Sequence, residues 1–287
     1  TSLLGAAMLL GEQREDMSGS IVFVFQPAEE TTQGAKKMIE AGLFERIAID
    51  AMFGLHVRPE IEVGRVGIKA GALMSAKDSF SVTVSGKGGH GSAPQNTVDP
   101  LVAGAALLTD IQSIISRNID PREAAVISVC SIHAGTADNI IPDKLIMQGS
   151  MRTFSRKMRD FLIKRLEEVA YGVAMTYGCT AEVKIFQSTS TPVLINDPAM
   201  TAIAMRSAIQ ALGKECLSEQ EKEMGSEDFA EFGNHVPIFF YFIGSGTPGR
   251  DYYPWHSPNF HADERTPMIG SALLACTALN AQQTLEK

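Results

Sequence analysis

Ile21-Val22-Phe23-Val24-Phe25-Gln26-Pro27-Ala28-Glu29-Glu30 sets five consecutive apolar residues ahead of a proline-containing turn and two adjacent carboxylates. An apolar run of this length, built from β-branched and aromatic residues, reads as a strand buried on both faces of a parallel sheet. Such a strand delivers Glu29 and Glu30 together at its carboxyl end, where open α/β sheets gather their ligands. There one carboxylate can serve as general base and its neighbour as metal ligand. Alone, the pair reads as a solvated acidic loop, so the surrounding segments decide.

Before this run, Thr1-Ser2 caps a helix whose Leu3, Leu4, Ala7 and Leu10 share a face up to Gly11. After it, a helix over 34–41 and a second apolar strand over 51–57 continue the α/β alternation. The pattern changes near residue 75. Ser79-Phe80-Ser81-Val82-Thr83-Val84-Ser85 alternates apolar and small polar residues, as in a strand with one wet face. Asp99-Pro100 supplies an N-cap and N1 proline for a helix to about Arg117. Strands over 125–133 and 144–152 follow, then a Ser155-capped helix with Leu162, Leu166, Val169 and Val173 on one stripe, ended by Gly178, and a strand over 181–186. The order βαββαβ is that of a ferredoxin-like sandwich. Buried α/β character then returns with a helix opened by Asp197-Pro198, a strand over 237–243 and a last helix opened by Thr266-Pro267.

The expected architecture is therefore α/β. Residues 1–74 and 188–287 form a discontinuous catalytic domain with a mixed, largely parallel sheet between helices, and residues 75–187 an inserted ferredoxin-like lid or dimerisation domain.

The chain has 287 residues, 45% of them hydrophobic and 20% charged, with a net charge of -8, which disfavours nucleic acid and anionic membrane as partners. Cys130, Cys179, Cys216 and Cys276 are widely spaced and read as buried reduced thiols, not as a disulfide scaffold or thiolate zinc site. No apolar run approaches the roughly 20 residues of a membrane span and no signal peptide is visible, so a cytoplasmic location is expected.

Several other segments carry candidate chemistry. His56 in Gly54-Leu55-His56-Val57 falls near the end of a buried strand, as a core imidazole or as a ligand beside Glu30. His256 lies in the turn-rich Trp255-His256-Ser257-Pro258-Asn259-Phe260, where it has freedom to reach a metal; His261 precedes Asp263-Glu264 and reads as solvated. Gly86-Lys87-Gly88-Gly89-His90-Gly91-Ser92 lacks the Lys-Ser/Thr and helix of a phosphate loop. It is a flexible hairpin, or a frame that aims His90 at a substrate oxygen. Asn139 and Arg152 either shape a turn and pair with a surface acid, or form an amide and guanidinium pair suited to a carboxylate. Met224-Gly225-Ser226-Glu227-Asp228-Phe229 reads as a helix start with N-terminal acids. His133 and His235 read as structural.

In order, Gln-Pro-Ala-Glu-Glu, Gly-Leu-His-Val, Gly-Gly-His-Gly-Ser-Ala-Pro, Asn-Ile-Ile-Pro, Met-Arg-Thr-Phe, Met-Gly-Ser-Glu-Asp-Phe and His-Ser-Pro-Asn-Phe resemble the dinuclear metal aminoacylase and carboxypeptidase family. The likeness is to its amidohydrolase branch of hippurate hydrolases, N-acyl-amino-acid deacylases and auxin-conjugate hydrolases, and spans nearly all of the chain. The resemblance implies hydrolysis of a small N-acyl amino acid with two divalent ions, zinc, manganese, cobalt or nickel. It implies Glu29 as general base, Glu30 as ligand of one metal, and His56 with His256 as ligands of the other. It implies His90 as oxyanion stabiliser across a lid-mediated homodimer, and Asn139 and Arg152 as substrate-binding residues.

The resemblance also implies a Cys-Gly-His-Asp segment just before the helix that here starts at Thr1, with a bridging cysteine and a histidine ligand. That segment does not occur in the sequence, which is about a hundred residues shorter than such a family member. The expectation is an amidohydrolase compromised by truncation. The alternative is a catalytically silent dimerisation or binding subunit.

Overall fold

The computed structural model describes residues 1–15 and 17–285. The chain divides into two compact units, one of Thr1–Leu73, Leu194–Glu223 and Glu227–Lys287, the other of Met74–Val193 with Met224–Ser226. The second unit thus begins one residue before the expected 75, continues past 187, and takes up three residues from the Met-Gly-Ser-Glu-Asp-Phe segment.

The first unit is built on Ile238–Gly246, whose Ile-Phe-Phe-Tyr-Phe-Ile run is buried on both faces. It pairs in parallel with Met52–Glu62, from Met52 opposite Ile238 to Arg58 opposite Gly244. On its other side it runs antiparallel to Val66–Gly67, which pairs in parallel with Leu217–Ser218. The sheet is therefore mixed. Helix Pro198–Leu212 starts where Asp197 Oδ1 accepts from the amides of Ala199 and Met200, with Pro198 at the first turn. Its Met200, Ile203 and Ala204 meet Phe239, Tyr241, Ile243 and Leu273 in one core. The Tyr241 hydroxyl, fully buried, bonds the Ala204 carbonyl at 3.0 Å and Thr277 Oγ1 at 2.9 Å, so no polar group is stranded there.

Ile21–Phe25 departs from expectation. The run lies in no strand among the described residues, and Val22 and Phe25 are 40% and 61% exposed. A strand is defined by its neighbour, and among the described residues none lies beside this run to take its backbone bonds. Met52–Glu62 is likewise an edge, paired on one side only among the described residues.

The second unit follows the expected βαββαβ order. Strands Ala76–Ser85, Ala125–Ala134, Lys144–Thr153 and Thr180–Ile185 form one antiparallel sheet, with Lys144–Thr153 and Ala76–Ser85 at its centre. Ala76–Ser85 alternates strictly between buried and half-buried residues, the mark of a sheet covered on one face. Phe80, Val82 and Val84 pack against Leu107 and Ile111 of helix Pro100–Asn118 and Leu162 and Leu166 of helix Arg156–Thr176. The caps are the ones the sequence announces: Asp99 Oδ1 accepts from the Leu101 amide and Ser155 Oγ from the Met158 amide. A buried ion pair lies beneath the sheet's end, where Asp78 accepts from Arg159 Nε and Nη2 at 2.6 and 2.8 Å and from Ser190 Oγ at 2.6 Å.

Cys179 and Cys216 are buried as expected, but Cys276 is only half-buried and Cys130 is exposed. The register shifts between Val129 and Ser131, so Cys130 is the bulged residue and its side chain is exposed. Among the described residues no helix is long and apolar enough to cross a membrane.

Candidate active site

The parallel strand pair sets His56 opposite Phe242, and the strand runs on to Glu62, so His56 lies within the strand and not near its end as the sequence suggested. Gly54 lets the strand pass, since a Cβ there would fall 2.7 Å from the Phe240 ring and 3.2 Å from Phe229. Two residues on, His56 Nδ1 lies 2.8 Å from the Val57 carbonyl, which also accepts from Trp255 Nε1 at 2.9 Å. The Trp255 ring stands edge-on to the imidazole, with centroids 4.9 Å apart. A carbonyl only accepts, so Nδ1 carries the proton and Nε2 keeps its lone pair. That is the tautomer of a metal ligand oriented through its other nitrogen.

Glu29–Thr31 forms a single 3-10 turn between Ala28 and Thr32, both left-handed at φ 54° and 56°. Asp228, fully buried, holds this turn from both sides. It accepts from the Gln26 side chain before the turn and from the backbone amides of Gly34 and Ala35 after it, the latter at 3.1 Å. Glu30 points outward, its Oε2 4.0 Å from His256 Nε2, with both side chains about three-quarters exposed at 77% and 76%. His256 itself sits at φ 61°, a conformation that non-glycine residues rarely take and that aims this ring at Glu30.

Glu29 is half-buried and turns inward. Its carboxylate, that of Glu227 and that of Asp228 each place one oxygen within 4.8 Å of the others. Burial raises the Glu29 pKa, helped by the charges of Asp228 and Glu30. Burial, and then the Glu29 charge, push Glu227 to about 8. Burial also raises Asp228, against the hydrogen bonds it accepts. These three acids could hold an ion in principle, but the Asp228 oxygens are committed to Gln26, Gly34 and Ala35, and Glu227 Oε1 accepts from the Phe229 amide. The more accessible donors are Glu30, His256 and His56 Nε2, an oxygen and two imidazoles of the kind that zinc and its neighbours take. The chemistry of these donors fits a divalent ion, but among the described residues Glu30, His56 and His256 are not gathered within 4.8 Å of one another.

In the second unit, Gly89–His90 pairs with Ile140–Ile141, and the Gly91 amide donates to the Asn139 carbonyl, so His90 and Asn139 lie on facing loops. Both are exposed. His90 Nδ1 accepts from the Ser92 amide at 3.1 Å. The proton is therefore on Nε2, the tautomer opposite to that of His56. Arg152 is half-buried in the central strand pair, donates to the Met224 carbonyl at 2.8 Å, and pairs with no carboxylate among the described residues. Burial lowers its pKa.

The structure thus brings Glu29, Glu30 and His256 together, with His56 set beside Trp255. His90, Asn139 and Arg152 belong to the other unit. Glu227 and Asp228, read from the sequence as helix-start acids, do start a short 3-10 helix, Asp228–Asn234, which Glu227 caps by accepting from the Phe229 amide. They are also the inner partners of Glu29 and its turn.

Paired carboxylates beside an exposed imidazole, with a ligand-form histidine on the mixed sheet, are the groups of a metallopeptidase-like hydrolase acting on amide bonds. The chain belongs to the peptidase family M20/M25/M40, whose profile matches residues 1–280. It is 37% identical over 285 residues to the N-acetylcysteine deacetylase of Bacillus subtilis (strain 168), covering 99% of this chain and 72% of that protein. It is 37% identical over 281 residues to IAA-amino acid hydrolase ILR1-like 4 of Arabidopsis thaliana, covering 97% of this chain and 63% of that protein. Among solved structures it resembles the Bacillus subtilis YXEP protein, described as a dinuclear metal binding peptidase of this family, with a TM-score of 0.84 and 33% identity over 99% of this chain and 71% of that one. A putative aminohydrolase from methicillin resistant Staphylococcus aureus gives a TM-score of 0.90 at 29% identity, over 97% and 71%. The chain thus spans about two thirds of the length of the relatives it matches.

Proposed function

We propose that this site hydrolyses the amide bond of small N-acyl amino acids with the aid of divalent metal. The observation that carries the reading is the division of labour at residues 29 and 30. One carboxylate is half-buried with a raised proton affinity, and its neighbour faces an imidazole 4.0 Å away. A divalent ion held by Glu30, His56 and His256 would supply Lewis-acid activation of water at neutral pH. Glu29 takes the proton of the attacking water and returns it to the departing amine, a task for which a raised carboxyl pKa is suited.

The Nε2–H of His90 fits a donor to charge developing on the carbonyl oxygen. Arg152, a half-buried cation without a carboxylate partner among the described residues, fits the substrate's carboxylate, with Asn139 as an additional amide. The names of the relatives, an N-acetylcysteine deacetylase and an IAA-amino acid hydrolase, support an acyl-amino-acid substrate. A homodimer through the second unit belongs to the same reading, supported by the open edge of Ala125–Ala134 with Ile132 exposed.

The test is Glu29→Gln on the metal-loaded protein, assayed with a panel of N-acetyl amino acids. The expected result is bound metal retained with turnover lost; turnover that persists removes Glu29 from its role.

A further inference from the structure

His56 and Arg58 stand two residues apart in strand Met52–Glu62 and so project from the same face of the sheet. In the parallel register with Ile238–Gly246, Phe242 lies opposite His56 and Gly244 opposite Arg58. The missing side chain at Gly244 leaves Arg58 room to lean over Phe242, and its Cζ lies 5.1 Å from the centre of that ring. The same carbon lies 5.7 Å from the centre of the Trp255 ring. Phe242 and Trp255 are themselves stacked, with centroids 5.8 Å apart and an interplanar angle of 29°. One guanidinium therefore rests against two rings, the first opposite His56 in register and the second edge-on to its imidazole.

Acids hold Arg58 in place. Nη2 pairs with Glu223, and Nε lies 3.5 Å from Glu60 Oε2. The Arg58 and Glu223 side chains are 17% and 21% exposed, so this pair lacks the freedom of a solvated surface bridge. Glu223 is anchored in turn, because its amide donates to the Leu73 carbonyl at 2.8 Å. Arg58 Nη1 is buried and has no hydrogen-bond partner among the described residues. A buried donor without an acceptor is costly, and the π faces of Phe242 and Trp255 are the electron-rich surfaces beside it.

Trp255 bears on His56 in two ways. Its Nε1–H and the His56 Nδ1–H both donate to the Val57 carbonyl, at 2.9 and 2.8 Å, and fill its two lone pairs. Its ring is also a wall, 4.9 Å from the imidazole centre, that keeps the imidazole against that carbonyl. An indole free to swing removes the wall and releases the imidazole to its other tautomer, with the proton on Nε2.

We propose that Arg58 is a positioning residue for His56: locked by Glu223, its guanidinium clamps Trp255 against Phe242, and the clamped indole holds the imidazole on the Val57 carbonyl with Nε2 bare. The use of that bare nitrogen as a ligand rests on the function proposed above, whereas the clamp is a property of the metal-free chain. The clamp calls for a planar cation that meets an acid at its edge and rings at its face, which lysine does not supply.

The test uses the metal-free chain, whose single tryptophan makes the Trp255 indole N–H signal unambiguous. Arg58→Met keeps an unbranched side chain and removes the charge; Arg58→Lys returns the charge without the planar fork. At about pH 8, where an ordinary imidazole is neutral, the ring nitrogen-15 shifts of His56, assigned against His56→Ala, should show Nδ1–H in the parent. Arg58→Met should bring in the Nε2–H form and speed exchange of the indole proton by about tenfold or more, while the amides of Ile238–Gly246 exchange as in the parent. Arg58→Lys should restore neither in full. An unchanged indole and tautomer in Arg58→Met overturn the inference, as does a freed indole beside an unchanged tautomer. Faster exchange spread equally over Ile238–Gly246 also counts against it, since Arg58 is then a general stabiliser, and full restoration by Arg58→Lys contradicts a planar clamp. If Arg58→Met does not fold, Glu223→Gln, which leaves Arg58 and removes its anion, should give the same shifts in smaller measure, and no shift there overturns the clamp. Zinc added to the parent separates the two readings: a parent that takes up no zinc, yet shows the expected indole and tautomer shifts between variants, removes the metal from the proposed function and leaves the clamp standing.

Discussion

Glu227 and Glu29 place carboxylate oxygens within 4.8 Å of each other inside the first unit, the one buried and the other half-buried. Two such acids cannot both be charged cheaply, and Glu227 is held neutral, with its pKa at about 8.

In the metal-free protein this makes stability depend on pH. A carboxyl whose folded pKa is raised binds its proton more tightly in the native state, so the native chain holds an extra proton between about 4.5 and about 8. Stability is full below that window and falls as pH rises through it, by a few kcal/mol at most. Glu227→Gln keeps the acceptor for the Phe229 amide and removes the titration. Urea melts should show the variant close to the parent at pH 5 and more stable at pH 8.5. A parent with no loss of stability across that range contradicts the assignment.

Asp228→Asn should loosen the turn that carries Glu29 and Glu30. Its amide nitrogen would oppose the donors of either Gln26 or Gly34 and Ala35, leaving a buried polar group unsatisfied at a cost of about 1–3 kcal/mol. Beyond lower stability, amide exchange over residues 26–35 should accelerate more than exchange in Ile238–Gly246. Uniform acceleration would make Asp228 a general stabiliser.

His56→Ala should weaken zinc binding by at least about tenfold in calorimetry, since it removes a nitrogen whose lone pair is held free by the Val57 carbonyl. Trp255→Phe removes the other donor to that carbonyl, yet leaves the imidazole in place. It should cost less affinity than His56→Ala.

In the second unit, Asp78→Asn takes the anion from a bidentate Arg159 pair that also anchors Ser190. Asp78 is only 2% exposed and Arg159 partly so, which places the loss at about 2–4 kcal/mol. Thermal denaturation reads it directly.

What was legible in the sequence follows the range of each interaction. Asp99-Pro100, Ser155 and Asp197-Pro198 announce their helices because a cap reaches only two or three residues, and all three caps form. The alternation of residues 79–85 announces a one-faced strand because the pattern is contained in the strand itself. Ile21–Phe25 carries an equally clear pattern and forms no strand, because pairing depends on a neighbour that pattern does not supply. The partners of Glu29 were harder still to read. Gln26 and Asp228 meet across 202 positions, and two acids before a phenylalanine look like an ordinary helix start. The recurrence of Met-Gly-Ser-Glu-Asp-Phe beside the other family motifs was the available signal. Cys130 escaped because a bulge reverses the face of a strand residue without changing composition.

Helix Ser2–Glu12 and helix Thr266–Leu285 interlock through small residues: a Cβ on Gly5 would fall 2.2 Å from Ser271 Oγ, and one on Gly270 2.5 Å from Ser2 Oγ. During synthesis this imposes a sequence of events. The second unit, nearly continuous from Met74 to Val193, has most of its contacts available long before translation ends and can close early. Helix Ser2–Glu12 must wait for helix Thr266–Leu285, so residues 1–73 emerge before the second unit yet complete their packing after it.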